Sequence, residues 1–193
     1  MELGDLKSVE ELKNRNIPEL MKLVNRGYDL TAAIPSCVLM YKQELPLMFP
    51  NDEDVRAVAK AFFDPFEYLM LRHRAAQLDL NFKNSIGKIA YHVPCHQRVQ
   101  KIGPKTKDIL EMIPGTQVSM IERCSGHDGT YAVKTENYAF AQKICRPVVS
   151  RIEQGQADYV ISDCPMAGEL IEHGMSEGSA TSAFAILRHA YGI

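Results

Sequence analysis

Four of the five cysteines sit in the same local setting. Cys37, Cys95, Cys124 and Cys164 each follow a short apolar run, come after a proline or polar residue, and precede a turn or the start of a helix. Thiolates are soft ligands that select zinc, Cu(I) or iron–sulfur clusters. Helix N-termini at Cys37 and Cys164 are expected to lower the thiol pKa and favour that form. A single such cysteine reads equally well as a small buried hydrophobe. Four in one setting do not, because the C-terminal ends of parallel strands lie along one edge of a sheet. Cys145 is the contrast: it falls mid-helix in Gln142-Lys143-Ile144-Cys145-Arg146 and reads as a packing residue. An odd cysteine count without a signal-peptide pattern favours metal or redox chemistry over a disulfide framework.

The richest stretch is Ile121-Glu122-Arg123-Cys124-Ser125-Gly126-His127-Asp128-Gly129. It follows the alternating run Gln117–Ile121, which reads as a strand. Its glycines allow a sharp turn and a close approach of backbone to a ligand. His96 and His127 flank two of the cysteines and could ligate a metal or donate to a cluster sulfur; a loop histidine bonding backbone carbonyls fits as well. His92 lies within a strand and reads as a satisfied core histidine. Asp128 and Asp163 could accept hydrogen bonds near a metal site, or bond their own backbone in turns. Arg98, Lys101, Lys105 and Lys107 form a small basic cluster that reads as a solvated face, or as a counter-charge to an anionic centre. There is no glycine-rich phosphate loop and no nucleophile-elbow spacing.

These turns need strands and helices to hold them. Ser8–Val24 has helical apolar spacing and stops at Gly27. Tyr28–Ile34 is β-like, and Ser36 is placed to cap a helix over Val38–Glu44. Asn51-Asp52-Glu53-Asp54 is an acidic helix start, continuing to Phe63, and Asp64-Pro65 opens a further helix towards Leu78. From Lys88 the pattern becomes α/β. Strands are expected at Lys88–Val93, Gln117–Ile121 and Asp158–Ser162. Helices are expected at Lys105–Met112, Glu136–Ile152 with a kink at Pro147, Met166–His173 and Ala180–Ala190. Alternation of this kind implies an α/β fold, a mostly parallel sheet of about four strands with flanking helices. The chain is read as three segments: 1–50, the C-terminal part of a first cysteine-rich module; 51–85, a helical connection; and 86–193, a Rossmann-like second module. Starting directly in a helical pattern suggests that an N-terminal half of the first module is missing.

Composition narrows the function. The 193 residues are 46% hydrophobic and 24% charged, ordinary for a globular protein, with a formal net charge of −2. That balance suggests neither nucleic acid nor an anionic membrane as a partner. No run approaches the length of a transmembrane segment, and the expected location is cytoplasmic, or peripheral at the inner face of the cell membrane.

Tyr91-His92-Val93-Pro94-Cys95-His96, Glu122-Arg123-Cys124-Ser125-Gly126-His127-Asp128-Gly129-Thr130-Tyr131 and Ser162-Asp163-Cys164-Pro165-Met166-Ala167-Gly168 resemble the cysteine-rich domain found in heterodisulfide reductase. Pro35-Ser36-Cys37-Val38-Leu39-Met40 resembles the end of the first of two such domains. The resemblance implies an iron–sulfur electron-transfer component of an anaerobic respiratory or disulfide-reducing oxidoreductase. It would be a redox carrier rather than the site of substrate chemistry. It further implies a [4Fe-4S]-type cluster, a flavoprotein dehydrogenase or other redox protein as partner, and quinone as an acceptor. Cys95, Cys124 and Cys164 would be ligands, with Cys37, His96 or His127 completing or supporting the set. The chain departs from the family's fullest pattern, paired cysteines before glycine and then Cys-x-x-Cys. Ser125 and Ala167 stand at the second cysteine positions, and the ferredoxin-type motifs of larger members are absent from this sequence. Zinc in a structural module, or a metal-free thiol that attacks a disulfide, are the competing chemistries.

Overall fold

The structure is a computed structural model and describes residues 4–193. The chain divides into two compact units, Met1–Pro65 and Phe66–Ile193. In the first, α1 (Leu6–Val24) begins where the Asp5 carboxylate accepts from the Ser8 amide. A short strand β1 (Leu30–Thr31) leads into α2 (Pro35–Leu39), a π-helical segment Met40–Glu44 and α3 (Leu45–Met48). Then α4 (Glu53–Ala61) runs into β2 (Phe62–Phe63), which pairs in parallel with β1. Asp52 caps α4 and takes Lys13 of α1 in a 2.6 Å ion pair. Ile17, Leu30, Val38, Val55, Val58 and Phe62 make this unit's core.

The second unit holds the α/β pattern. After α5 (Pro65–Arg74) come β3 (Lys88–His92), α6 (Cys95–Val99), α7 (Lys105–Leu110) and β4 (Gln117–Ile121). The chain continues through α8 (Thr135–Gly155), β5 (Tyr159–Ser162), α9 (Pro165–Glu172), β6 (Ala180–Thr181) and α10 (Ala183–Tyr191). The four strands form one parallel sheet in the order β4-β3-β5-β6. Burial on both faces explains why β3 and β5 read as nearly continuous apolar runs. Ile89 and Tyr91 of β3, Val118 of β4 and Ile161 of β5 join the cluster that includes Phe66, Ile109, Leu110, Ile186 and Leu187. Ala90, Ile121 and Val160 face the other way, onto Ala141, Cys145, Val148 and Ile152 of α8 and Leu170 and Ile171 of α9. The period-2 alternation of strand residues thus selects which helices cover which face.

Several local expectations are corrected. Ser36 does not cap α2: the helix begins at Pro35, with Ile34 in the capping position and no side-chain bond. Proline at the first helical position removes one unpaired donor, and the Cys37 and Val38 amides donate to the Ile34 carbonyl instead of to a capping side chain. The helices read through Phe63 and from Ala180 each lose two residues to a short strand, β2 and β6. Two residues are too few for an alternation to show in sequence, and the last helix in fact starts where Ser182 accepts from the Ala185 amide. The helix expected to extend to Leu78 ends at Arg74. The long helix around Pro147 is longer at both ends than expected, Thr135–Gly155.

Two residues hold the ends of the strands. Gly126, in the loop after β4, has φ +86°, and a Cβ there would lie 2.3 Å from the Ala141 carbonyl oxygen of α8. The loop therefore rests backbone to backbone on that helix, which only glycine permits. His92, at the end of β3 and 2% exposed, bridges sideways. Its Nε2 lies 2.9 Å from the Arg123 carbonyl beyond β4, and its Nδ1 lies 3.1 Å from Ser162 Oγ at the end of β5. The carbonyl can only accept, so Nε2–H donates to it and the neutral ring accepts from Ser162 at Nδ1. Ser162 Oγ in turn accepts from the Cys164 amide at 3.3 Å. Burial pushes the His92 pKa down to about 4; the Arg123 carbonyl pulls upward and the Arg98 charge adds to the fall.

Gly126→Ala is expected to destabilise the chain by roughly 2–5 kcal/mol in urea unfolding, from left-handed strain plus overpacking. Gly155→Ala, on α8 with open space around it, should be neutral or slightly stabilising in the same assay. Because the folded-state pKa of His92 is depressed, the stability it contributes is complete above its ordinary value of 6.5 and is lost as pH falls towards about 4. The wild type should lose about 2 kcal/mol between about pH 7.5 and pH 5 through this group, and His92→Gln should lack that increment.

Candidate metal centre at the strand rim

The register brings the cysteine turns into line. His92 of β3 stands opposite Ile121 of β4 on one side and Ser162 of β5 on the other. The three strands therefore end level. Cys95 is the third residue past His92, Cys124 the third past Ile121, and Cys164 the second past Ser162. The chain steps from β3 to β4 in one direction and then returns, through α8, to β5 on the opposite side of β3. A reversal of this kind opens a crevice at the carboxyl ends of the strands, where open α/β sheets take their ligands. All three turns leave the sheet at that edge.

Cys95 opens α6 behind Pro94 and is exposed; His96 Nδ1 lies 3.8 Å from its sulfur. Cys124 is also exposed, and its sulfur accepts from the Gly126 amide at 3.4 Å. Cys164 is half-buried at the N-cap position of α9. The expectation of a lowered thiol pKa at Cys164 is overturned. Burial raises it; the Ala167 and Met166 amides pull it down without prevailing, and the charges of Cys95 and Asp163 raise it further. The helix-end contribution has the expected sign, and desolvation of the charged form outweighs it. Cys145 is wholly buried, with burial pushing its thiol up to about 11. In the first unit, Cys37 is exposed in the first turn of α2.

His127 is half-buried, and its amide donates to Ser125 Oγ at 3.4 Å. With Met166, Tyr138 and His173 it lines a cavity of about 280 Å³. Ser125 and Ala167, standing where the fuller pattern has second cysteines, are both buried. Lys105 and Lys107 of the basic cluster pair with Asp108 and Glu111 on their own helix turn, as a solvated face would. Asp163 reaches beyond its own turn. Its Oδ2 accepts from Tyr91 Oη at 2.6 Å, Thr106 Oγ1 at 2.6 Å and Gln97 Nε2 at 3.0 Å. Burial still holds its carboxyl above the ordinary range. No sequence signal points to Gln97 or Thr106, because both are ordinary helix residues until the fold brings them onto Asp163.

As the side chains stand, no three His, Cys, Asp or Glu residues among those described converge closely enough to hold a metal ion. The donor chemistry at the rim nevertheless suits a soft metal or an iron–sulfur cluster: three thiols on three adjacent strand ends, two of them exposed. No helix among the described residues is long and apolar enough to cross a membrane.

A profile of the cysteine-rich domain family matches residues 89–166, which spans all three turns. Over 167 residues, 83% of this chain, the sequence is 30% identical to the C subunit of anaerobic glycerol-3-phosphate dehydrogenase from Escherichia coli (strain K12), and to that of E. coli O157:H7. It is 28% identical over 147 residues to lactate utilization protein A of Lysinibacillus sphaericus (strain C3-41), covering 72% of this chain and 61% of that one. The chain spans 40% of the length of the first two relatives. Residues 89–166 thus match the cysteine-rich domain family, in a chain similar over most of its length to part of the C subunit of anaerobic glycerol-3-phosphate dehydrogenase.

Proposed function

We propose that the second unit is an iron–sulfur electron-transfer module of an oxidoreductase complex, with Cys95, Cys124 and Cys164 as cluster ligands. The observation carrying this reading is the level ending of β3, β4 and β5, which aligns three thiol-bearing turns on one rim. When bound, a cluster supplies one-electron storage, which the protein tunes through burial and hydrogen bonds to sulfur. The residues supply the rest. The Gly126 amide already donates to the Cys124 sulfur, and a donor there stabilises the more negative, reduced form of a centre. His96 and His127 flank the rim as further donors or a fourth ligand. The half-buried position of Cys164 keeps water from one side, and metal binding would displace the proton that burial otherwise holds on that thiol.

The partner in this reading is a flavoprotein dehydrogenase or another redox protein, and quinone is a candidate final acceptor. The similarity to a dehydrogenase component and to lactate utilization protein A supports the general class. Zinc is the rival ion, since thiolates with a histidine suit its tetrahedral geometry equally well.

The chain purified without oxygen should carry iron and acid-labile sulfide with a broad visible absorption. Cys95→Ser, Cys124→Ser and Cys164→Ser should each reduce the iron bound by roughly tenfold, within the range seen when metal-site residues are lost. Cys145→Ser should keep its iron while losing stability. Stoichiometric zinc without visible absorption, or iron indifferent to all three rim substitutions, would overturn the assignment.

A further inference from the structure

We propose that Asp163 is a positioning residue: its carboxylate locks the turn bearing Cys95 to the turn bearing Cys164, so that the two sulfurs are presented together. The inference rests on the reading that the rim thiols share one centre, and it extends that reading to a residue that would touch no metal. One carboxylate oxygen gathers three donors from three different elements. Tyr91 comes from β3, Gln97 from α6 and Thr106 from α7. These partners lie 57 to 72 positions away in sequence, so the carboxylate is not serving a local turn.

The placement of the partners gives the network its consequence. Asp163 immediately precedes Cys164, and Gln97 follows Cys95 by two residues within α6. A shift of Gln97 carries Cys95 with it, because α6 is a single short helix that begins at that cysteine. Gln97 is further held by Thr106 at 3.2 Å and by a short contact with the Tyr91 hydroxyl. Tyr91, Gln97 and Thr106 are all buried in the core. Apolar side chains of similar volume could fill this space without fixing direction. Hydrogen bonds to an ionisable oxygen are short and directional, and they set orientation as well as distance.

The test uses the metal-free full chain and dibromobimane, which becomes fluorescent when it bridges two thiols, with the linked pair identified by peptide mapping. The wild type should form a Cys95–Cys164 link. Asp163→Ala and Thr106→Val should slow it by roughly tenfold, the scale on which misplaced groups lose effective concentration. Asp163→Asn, which retains an acceptor oxygen, should keep most of the rate. Ile152→Ala, a core truncation on α8 in the cluster on the opposite face of the sheet, should unfold more easily yet link normally below its transition. Absence of the link in the wild type, no effect of Asp163→Ala, or an equal slowing by Ile152→Ala would overturn the inference. If the link behaves as described but anaerobic reconstitution leaves no iron on the wild type, the iron–sulfur reading falls and the positioning role stands.

Discussion

The parallel pairing of β3 with both β4 and β5 is the constraint on which the rest depends. Pairing places His92, Ile121 and Ser162 side by side. Each strand is followed within three residues by a cysteine, so the register carries a regularity of the sequence into a regularity in space. A slip of one residue would move every side chain of a strand to the other face and bury the wrong set against α8 and α10. The hydrophobic clusters on the two faces therefore protect the register, and through it the rim.

Polar side chains complete what the apolar layers begin. Backbone hydrogen bonds end with the strands, and beyond them the chain needs other partners for its buried groups. His92 gives them on one line, joining the Arg123 carbonyl to Ser162 and so to the Cys164 amide. Asp163 gives them on another, gathering Tyr91, Gln97 and Thr106. Burial pushes both residues towards their neutral forms, lowering the His92 pKa and raising that of Asp163. Cys164 follows the same rule: enclosure raises its thiol where a helix start alone would lower it. At Cys164 desolvation outweighs the helix-end contribution.

Much of this is legible in the residues. β3, β4 and β5 are long enough, and rich enough in Val, Ile and Tyr, to declare themselves, and the Pro-Cys and Cys-Ser-Gly breaks mark the turns after β3 and β4. Cys145 reads as a packing residue from its mid-helix position, and it is fully buried. The strands β2 and β6 are not legible, since a pair of residues carries no periodicity and their flanks read as helix. Nor are the partners of Asp163, since contacts between residues so far apart exist only once the sheet has formed. The sign of the Cys164 shift depends on enclosure, which no local motif encodes.

The departures from the family's fullest pattern also gain a physical setting. Ser125 and Ala167 occupy buried positions, so a second cysteine at either would face the interior of the folded unit. Exposed thiols remain at Cys95 and Cys124, with Cys164 half-enclosed between the β5 end and α9. X-ray absorption at the iron edge, on the chain purified without oxygen, tests the central claim most directly. The account predicts a first shell dominated by sulfur with a second iron close by. A shell of oxygen and nitrogen alone, or no iron to measure, would contradict it.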